Sequence, residues 1–288
     1  MNDRSNTHYK KLTVSIVTYN NEDVIEKALN SIEKSTLPPF EYDVMVVDNS
    51  SKDRTPDIIA TKYPGFSLVH SQNVGYGAGH NKAIRLISRK TDYHLVMNPD
   101  VYFDEDVLAK LIDFMDKHPE IGLVMPKILY PDNQIQYLCK LLPTPFDSIG
   151  RRFIPGFLKP VFKKRFDRYE FRDRDYNRVM EVPHLSGCFM MLRTDVFKTV
   201  GFFDERFFMY LEDVDYSRRV HARYKTVYYP EVFVYHQYHK GSYKRWRHLK
   251  YHIISAVKYF NKWGWFFDSQ REAINKAAKT GPQDPVRE

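Results

Sequence analysis

Short apolar runs alternate, along the first half of the chain, with segments whose apolar residues recur every three or four positions. Residues 12–18 (LTVSIVT) are apolar and β-branched, the pattern of a buried strand. Behind them Val24, Ile25, Ala28, Leu29 and Ile32 repeat at helical spacing, with Asn20 and Asn21 placed to cap the helix and Pro38 and Pro39 to close the unit. Residues 43–47 (DVMVV) predict a second strand, and Pro56 suits the first turn of a second helix. Residues 66–70 predict a third strand, followed by a Gly-punctuated turn and a helix from about 78 to 88. Residues 94–97 predict a fourth, and Asp104 is placed to cap a helix with Val107, Leu108, Leu111, Ile112 and Met115 on its core face.

This β-α-β-α alternation predicts an α/β fold, a mainly parallel sheet flanked by helices. Ligands of such sheets bind at the carboxyl ends of the strands. The polar residues there are Thr18, Tyr19 and Asn20, then Asp48 and Asn49, then Gln72 and Asn73, and last Asn98 and Asp100. From 139 to 178 the periodicity weakens. Four prolines and a basic cluster (Arg151, Arg152, Lys159, Lys163, Lys164, Arg165, Arg168) predict a mobile, loop-rich basic insertion. Residues 185–192 predict a strand and 213–224 a helix, Trp246–Trp263 predicts an amphipathic helix, and the last ten or so residues read as disordered. The division expected is a catalytic domain over 1–235 and a basic, aromatic helical extension over 236–288. Within the first, a nucleotide-binding half covers about 10–125 and an acceptor-binding half about 126–235.

Composition narrows the class. The chain has 288 residues, 43% hydrophobic and 28% charged, as in ordinary globular proteins. Two cysteines, Cys139 and Cys188, suggest a reducing compartment and no metal cluster. The polar N-terminus lacks a signal-peptide core, and no apolar run approaches the roughly 20 residues that cross a bilayer. A cytoplasmic location follows as the expectation. The net charge of +8 favours an anionic partner: nucleotide phosphates, anionic lipid or nucleic acid.

Six segments then occur in order: VSIVTYN (14–20), VVDNSSKDRT (46–55), NVGYGAGHN (73–81), MNPDV (97–101), LSGCFMMLR (185–193) and GFFDERFFMYLEDVDYSRR (201–219). Together they make the chain resemble the family 2 glycosyltransferases, whose GT-A fold is a Rossmann-like α/β sheet. The resemblance implies that a sugar moves from a nucleotide-sugar donor to an acceptor hydroxyl with inversion.

Each segment also has a physical reading. Asp48 ends a buried strand, where a carboxylate needs partners. The resemblance makes it a ligand of the nucleobase or ribose; the alternative is a turn cap through Ser50 or Ser51. Thr18, Tyr19, Asn20, Asn73, Gly75 and Asn81 join it as expected donor contacts, with Gly75, Gly77 and Gly79 letting backbone approach a ligand or merely making a tight turn. Asn98-Pro99-Asp100 stands where the family carries its acidic metal motif, with Asn98 replacing the first aspartate. Asp100 is thus the charged ligand expected for a divalent cation (Mg2+ or Mn2+), the alternative being a turn residue before the helix; His236 or His239 either completes the site or is structural. Of Glu212, Asp213 and Asp215, Asp213 matches the family's catalytic base and Glu212 orients donor or acceptor; three carboxylates at a helix start also suit its dipole.

The C-terminal FNKWGWFFD (260–268) is similar to transferases that add L-rhamnose from dTDP-rhamnose in bacterial surface polysaccharide assembly. Galactofuranose, N-acetylglucosamine and glucose donors stay open, as do a lipid-linked or polysaccharide acceptor and the oligomeric state. The basic insertion and the Lys- and Trp-rich helix point either to peripheral contact with anionic lipid at the inner face of the cell membrane or to a solvated face. A sugar nucleotidyltransferase is disfavoured, since Thr18-Tyr19-Asn20-Asn21 lacks a triphosphate-holding Gly-rich loop. A nucleic-acid-binding protein is disfavoured by the absence of any recognised motif.

Overall fold

The computed structural model describes residues 10–35, 40–87, 91–104, 106–150, 154–237 and 246–281. Pro38, Pro39, Ser88, Arg151, Arg152 and His239 lie outside them.

Strands β1 (Lys10–Thr18), β2 (Phe40–Asp48), β3 (Ser67–His70) and β4 (Tyr93–Met97) run parallel, joined by helices α1 (Ile25–Glu33), α2 (Thr55–Lys62) and α3 (Tyr76–Ile87). The short β5 (Val101–Tyr102) and helix α4 (Val107–Lys117) follow, then β6 (Ile121–Leu129). The second half adds α5 (Pro145–Ser148), α6 (Lys159–Tyr169), β7 (Met180–Glu181), β8 (Phe189–Arg193), α7 (Asp195–Thr199), α8 (Glu212–His221) and β9 (Lys225–His236). Helices α9 (Trp246–Trp263) and α10 (Ser269–Thr280) close the described chain. All nine strands form one mixed sheet in the order β3-β2-β1-β4-β8-β6-β9-β5, with β7 on β9. Antiparallel β8 sits between β4 and β6, and β6 runs parallel to β9.

Burial explains the order. Every residue of β4 is buried, and β1 is buried from Leu12 onward, as strands covered on both faces must be. The β1–β4 interior also holds a polar chain. Thr13 Oγ1 meets His94 Nδ1 at 2.7 Å, and Ser15 Oγ meets His94 Nε2 at 2.9 Å and His80 Nδ1 at 2.8 Å. Burial pushes the His94 pKa down to about 3 and, with His94 nearby, holds His80 well below its usual range, so both rings are neutral.

Several expectations need correction. Asn21 starts α1 through its backbone carbonyl, which accepts from the Val24 and Ile25 N–H groups, both at 3.0 Å. Its side chain turns back to the Tyr19 N–H at 2.8 Å, and the residue before the helix, Val24, makes no side-chain cap. Asp104 likewise offers only its carbonyl to the Val107 N–H at 3.4 Å; the residue before α4 is Asp106. The basic insertion carries a real helix, α6, because Pro160 lies in its first turn, where proline needs no partner, and starts it rather than breaking it. Phe162 and Phe166 of α6 pack on Phe146 of α5 with ring centroids 5.2 and 6.3 Å apart. Strand β6 hid behind Gly122 and Pro126: the ladder shifts register at Pro126/Lys127, and a Cβ on Gly122 would come within 2.6 Å of Tyr224.

Candidate functional site

The parallel register sets Thr18 opposite Asp48 at the carboxyl ends of β1 and β2. Asp48 is buried there, its Oδ1 accepting from Thr18 Oγ1 at 3.1 Å and its Oδ2 from the Ser51 N–H at 3.1 Å. The turn-capping role is thus filled, yet a carboxylate has about four lone-pair sites and two are used. Asp48 also lines an open cleft with Ser50, Ser51, Pro56, His70, Ser71 and Gln72. Tyr19, one residue after β1, stands exposed. Asn20, left-handed at φ 56°, clasps the neighbouring loop: its N–H donates to Ser51 Oγ at 2.9 Å and its Oδ1 accepts from the Lys52 N–H at 2.7 Å.

The glycines of this segment permit close protein packing. Gly77 and Gly79 lie on α3, where added Cβ atoms would come within 2.9 Å of Phe203 and 2.8 Å of Val17. Gly75 has φ +92°, and a Cβ there would lie 2.1 Å from the Phe208 carbonyl oxygen. Asn73 Oδ1 accepts from the Gly75 N–H at 3.2 Å. Asn81 is not brought to the cleft. It is buried, donates to the Phe203 carbonyl and to Glu205, both at 2.9 Å, and accepts from the Phe203 N–H at 3.0 Å.

Asp100 and His236 do come together. His236 Nε2 stands 3.3 Å from Asp100 Oδ1, while its Nδ1 meets Gln136 Oε1 at 2.9 Å. Gln136 also donates to the His236 carbonyl at 2.8 Å, fixing ring and backbone together, as partners behind a metal-binding imidazole do. Burial opposes charge on His236, but Cys188 and Asp100 outweigh it and push its pKa up to about 10. Asp100 Oδ1 is buried, and the His236 imidazole is the group beside it. A carboxylate oxygen of this kind beside an imidazole fits a divalent cation, which would displace the ring proton and take its other ligands from phosphate. Among the described residues no group of three or more His, Cys, Asp or Glu side chains is set to hold a metal. Asn98 joins this region through its backbone, donating to the Cys188 carbonyl at 2.9 Å.

Tyr210 and Leu211 are both left-handed, at φ 72° and 62°, a costly pair of conformations for side-chain-bearing residues. They deliver Glu212 and Asp213 at the start of α8. Asp213 Oδ2 accepts from the Gly187 N–H at 3.0 Å and stands 3.5 Å from His184 Nε2; its Oδ1 accepts from the Val214 N–H at 2.8 Å. Burial alone would raise its pKa, but His184, the Gly187 N–H and Lys140 outweigh that and bring it down to about 2. Glu212 goes the other way: burial and the charge of Asp213 hold its carboxyl well above the usual range. Asp215 belongs to the scaffold, since Arg219, Trp263 and Lys262 bond it at 2.9, 2.8 and 2.7 Å.

Glu212 and Asp213 line a cavity of about 200 Å3 with Lys140, His184, Tyr210 and His252, among others. His184 is buried, with its Nε2 turned to Asp213. The sequence reading missed His184, Lys140 and Gln136. Only His184, next to the LSGC segment, lay near a signal.

The chain matches the glycosyl transferase family 2 profile over residues 13–201. It is 31% identical over 243 residues to the N-acetylglucosaminyl-diphospho-decaprenol L-rhamnosyltransferase of Mycobacterium tuberculosis, covering 78% of this chain and 75% of the relative. Rhamnosyltransferase WbbL of Escherichia coli is 23% identical over 256 residues, 85% of this chain and 91% of its own. Two solved structures share the fold at 19% identity and TM-score 0.56. They are Staphylococcus aureus TarS 1-349, covering 92% of this chain and 69% of that one, and mannosyltransferase PcManGT from Pyrobaculum calidifontis with GDP-Man and Mn2+, covering 96% and 77%. With the GT-A sheet and these matches in hand, the chain is a glycosyltransferase and belongs to glycosyl transferase family 2.

Proposed function

We propose that this glycosyltransferase is inverting and moves L-rhamnose from dTDP-rhamnose to a hydroxyl of a lipid-linked or polysaccharide acceptor. The observation that carries the chemistry is the Glu212–Asp213 pair on one cavity wall, with Asp213 held by the Gly187 N–H at 3.0 Å and His184 3.5 Å away. The sugar is supported by the two relatives named rhamnosyltransferases, one of them named for a decaprenol-linked acceptor. No helix among the described residues is long and apolar enough to cross a membrane, so an acceptor on a lipid carrier implies work at the bilayer surface.

In this reading Asp48 accepts a hydrogen bond from the nucleobase or ribose, with Thr18 and Ser51 holding its carboxylate in place. Asp100 and His236 would hold Mg2+ or Mn2+, whose charge would offset that of a nucleoside diphosphate leaving group. Asp213 takes the acceptor hydroxyl proton as that oxygen bonds to the anomeric carbon and the sugar–phosphate bond breaks. Glu212 orients the donor or the acceptor beside it. A single displacement needs no carboxylate nucleophile.

The test is a thermal-shift panel of nucleotide sugars with Mg2+, Mn2+ or EDTA on the parent and on Asp48→Ala. Stabilisation is expected with dTDP-rhamnose and a metal, and is expected to vanish in the variant. Stabilisation by a UDP-sugar instead would replace the donor assignment. No response to any donor would remove the reading.

A further inference from the structure

Most of the large apolar side chains left exposed among the described residues gather in two segments. Phe157, Leu158 and Val161 stand at the start of α6, with Phe157 78% and Val161 73% exposed. On and after α9 come Trp246, Ile253, Ile254 and Val257, then Phe266 and Phe267, the last 96% exposed. The inner face of α9 is already occupied: Ala256, Tyr259 and Phe260 pack with Leu142, Phe207, Leu211 and Val214. The outer residues are therefore surplus to the core. Concentrated exposed apolar surface of this kind marks an interaction site.

Both segments rest on the short helix α5. Phe162 and Phe166 of α6 pack on Phe146, and Arg165 bonds Asp147 at 2.9 Å. Phe266 shares a cleft with Thr144, the cap of α5. Asp147 and Ser148 of α5, with His252 of α9, also line the cavity that holds Asp213. The two apolar segments thus share α5 and α9 with the wall of the candidate acceptor cavity. Basic side chains stand among them, exposed Lys159, Lys163, Lys164 and Arg168 on α6 and Arg247 and Lys250 on α9.

We propose that this face docks on an anionic lipid bilayer, with Phe157, Val161 and Phe267 entering the interfacial layer and the lysines meeting the headgroups. An apolar edge interleaved with basic residues matches a surface that offers both hydrocarbon and negative charge. A second copy of the chain fits less well, because a two-fold contact would set these basic rows against each other. Docking here opens the Asp213 cavity at the membrane, where a lipid-carried acceptor would arrive; in that purpose the inference rests on the proposed acceptor.

The experiment is co-sedimentation of the full chain with vesicles of phosphatidylcholine alone or mixed with phosphatidylglycerol. Phe157→Ser/Val161→Ser and Lys159→Glu/Lys164→Glu are compared with the parent. Binding is expected to the anionic vesicles only, weakened by salt and at least about tenfold weaker in each double variant. These side chains are exposed, so the variants keep the parental Tm, and a donor-induced thermal shift is expected unchanged in all. Parental binding by both variants, or none by the parent, overturns the docking face. So does a parental dimer in light scattering that the apolar variant makes monomeric. Vesicle binding without any donor response leaves the docking face standing and removes the proposed donor reading instead.

Discussion

An Asp213→Asn enzyme is expected to transfer sugar about 10²–10⁴-fold more slowly than the parent, the usual contribution of a positioned general base. The substitution keeps the size of the side chain and one acceptor oxygen, which can still take the Val214 N–H. It removes the charge that Gly187 and His184 now hold and leaves the acceptor proton without a destination. Donor binding is expected to persist, since Asp48 and the cleft beside it are untouched. Initial rates with donor and acceptor, alongside the donor-induced thermal shift, separate the two effects. Parental turnover in this variant would remove Asp213 from the base role and direct attention to Glu212.

The second large effect is structural. Arg218 of α8 is 1% exposed and grips Asp268 through two bonds of 2.7 Å, with Gln270 at 2.9 Å and the Trp263 ring 4.0 Å from its guanidinium carbon. It ties the helix that carries Asp213 to the segment between α9 and α10. Removing one partner of such a pair strands the other charge in the interior, at a cost of about 3–5 kcal/mol. Arg218→Ala is therefore expected to lower the Tm by about 10 °C. The double variant Arg218→Met/Asp268→Asn should regain part of that loss, because Asn can still cap α10 for the Arg271 N–H while the stranded charge is gone. A single variant that melts with the parent would show the pair to be dispensable.

The first half of the fold could be read from the chain because its strands are buried on both faces and therefore apolar throughout. The same fact located Asp48 and Asp100, polar residues ending apolar strands. The second half resisted for physical reasons. Pro160 begins a helix where a scan for breakers sees an end, and Pro126 sits in a strand that tolerates it by a register shift. Motif spacing also fails to say which way a residue faces. Asn81, Gly77 and Gly79 lie in a segment matched to the family, yet they hold the 203–205 loop and the α3–β1 contact. Gln136 and His184 were hidden for the opposite reason: each reaches its partner across a long sequence interval, 100 residues for Gln136 and His236.

The neutral histidine chain between β1 and β4 sets a lower limit on the pH at which this molecule can be handled. Released from the fold, each ring would take up a proton near pH 6.5; inside it, His94 and His80 refuse one until far more acid conditions. The unfolded chain therefore binds more protons as the pH drops below about 6.5, and acid tilts the balance toward it by about 1.4 kcal/mol per pH unit for each ring. Elution or crystallisation in acetate draws on that reserve twice over, whereas neutral buffers leave it intact.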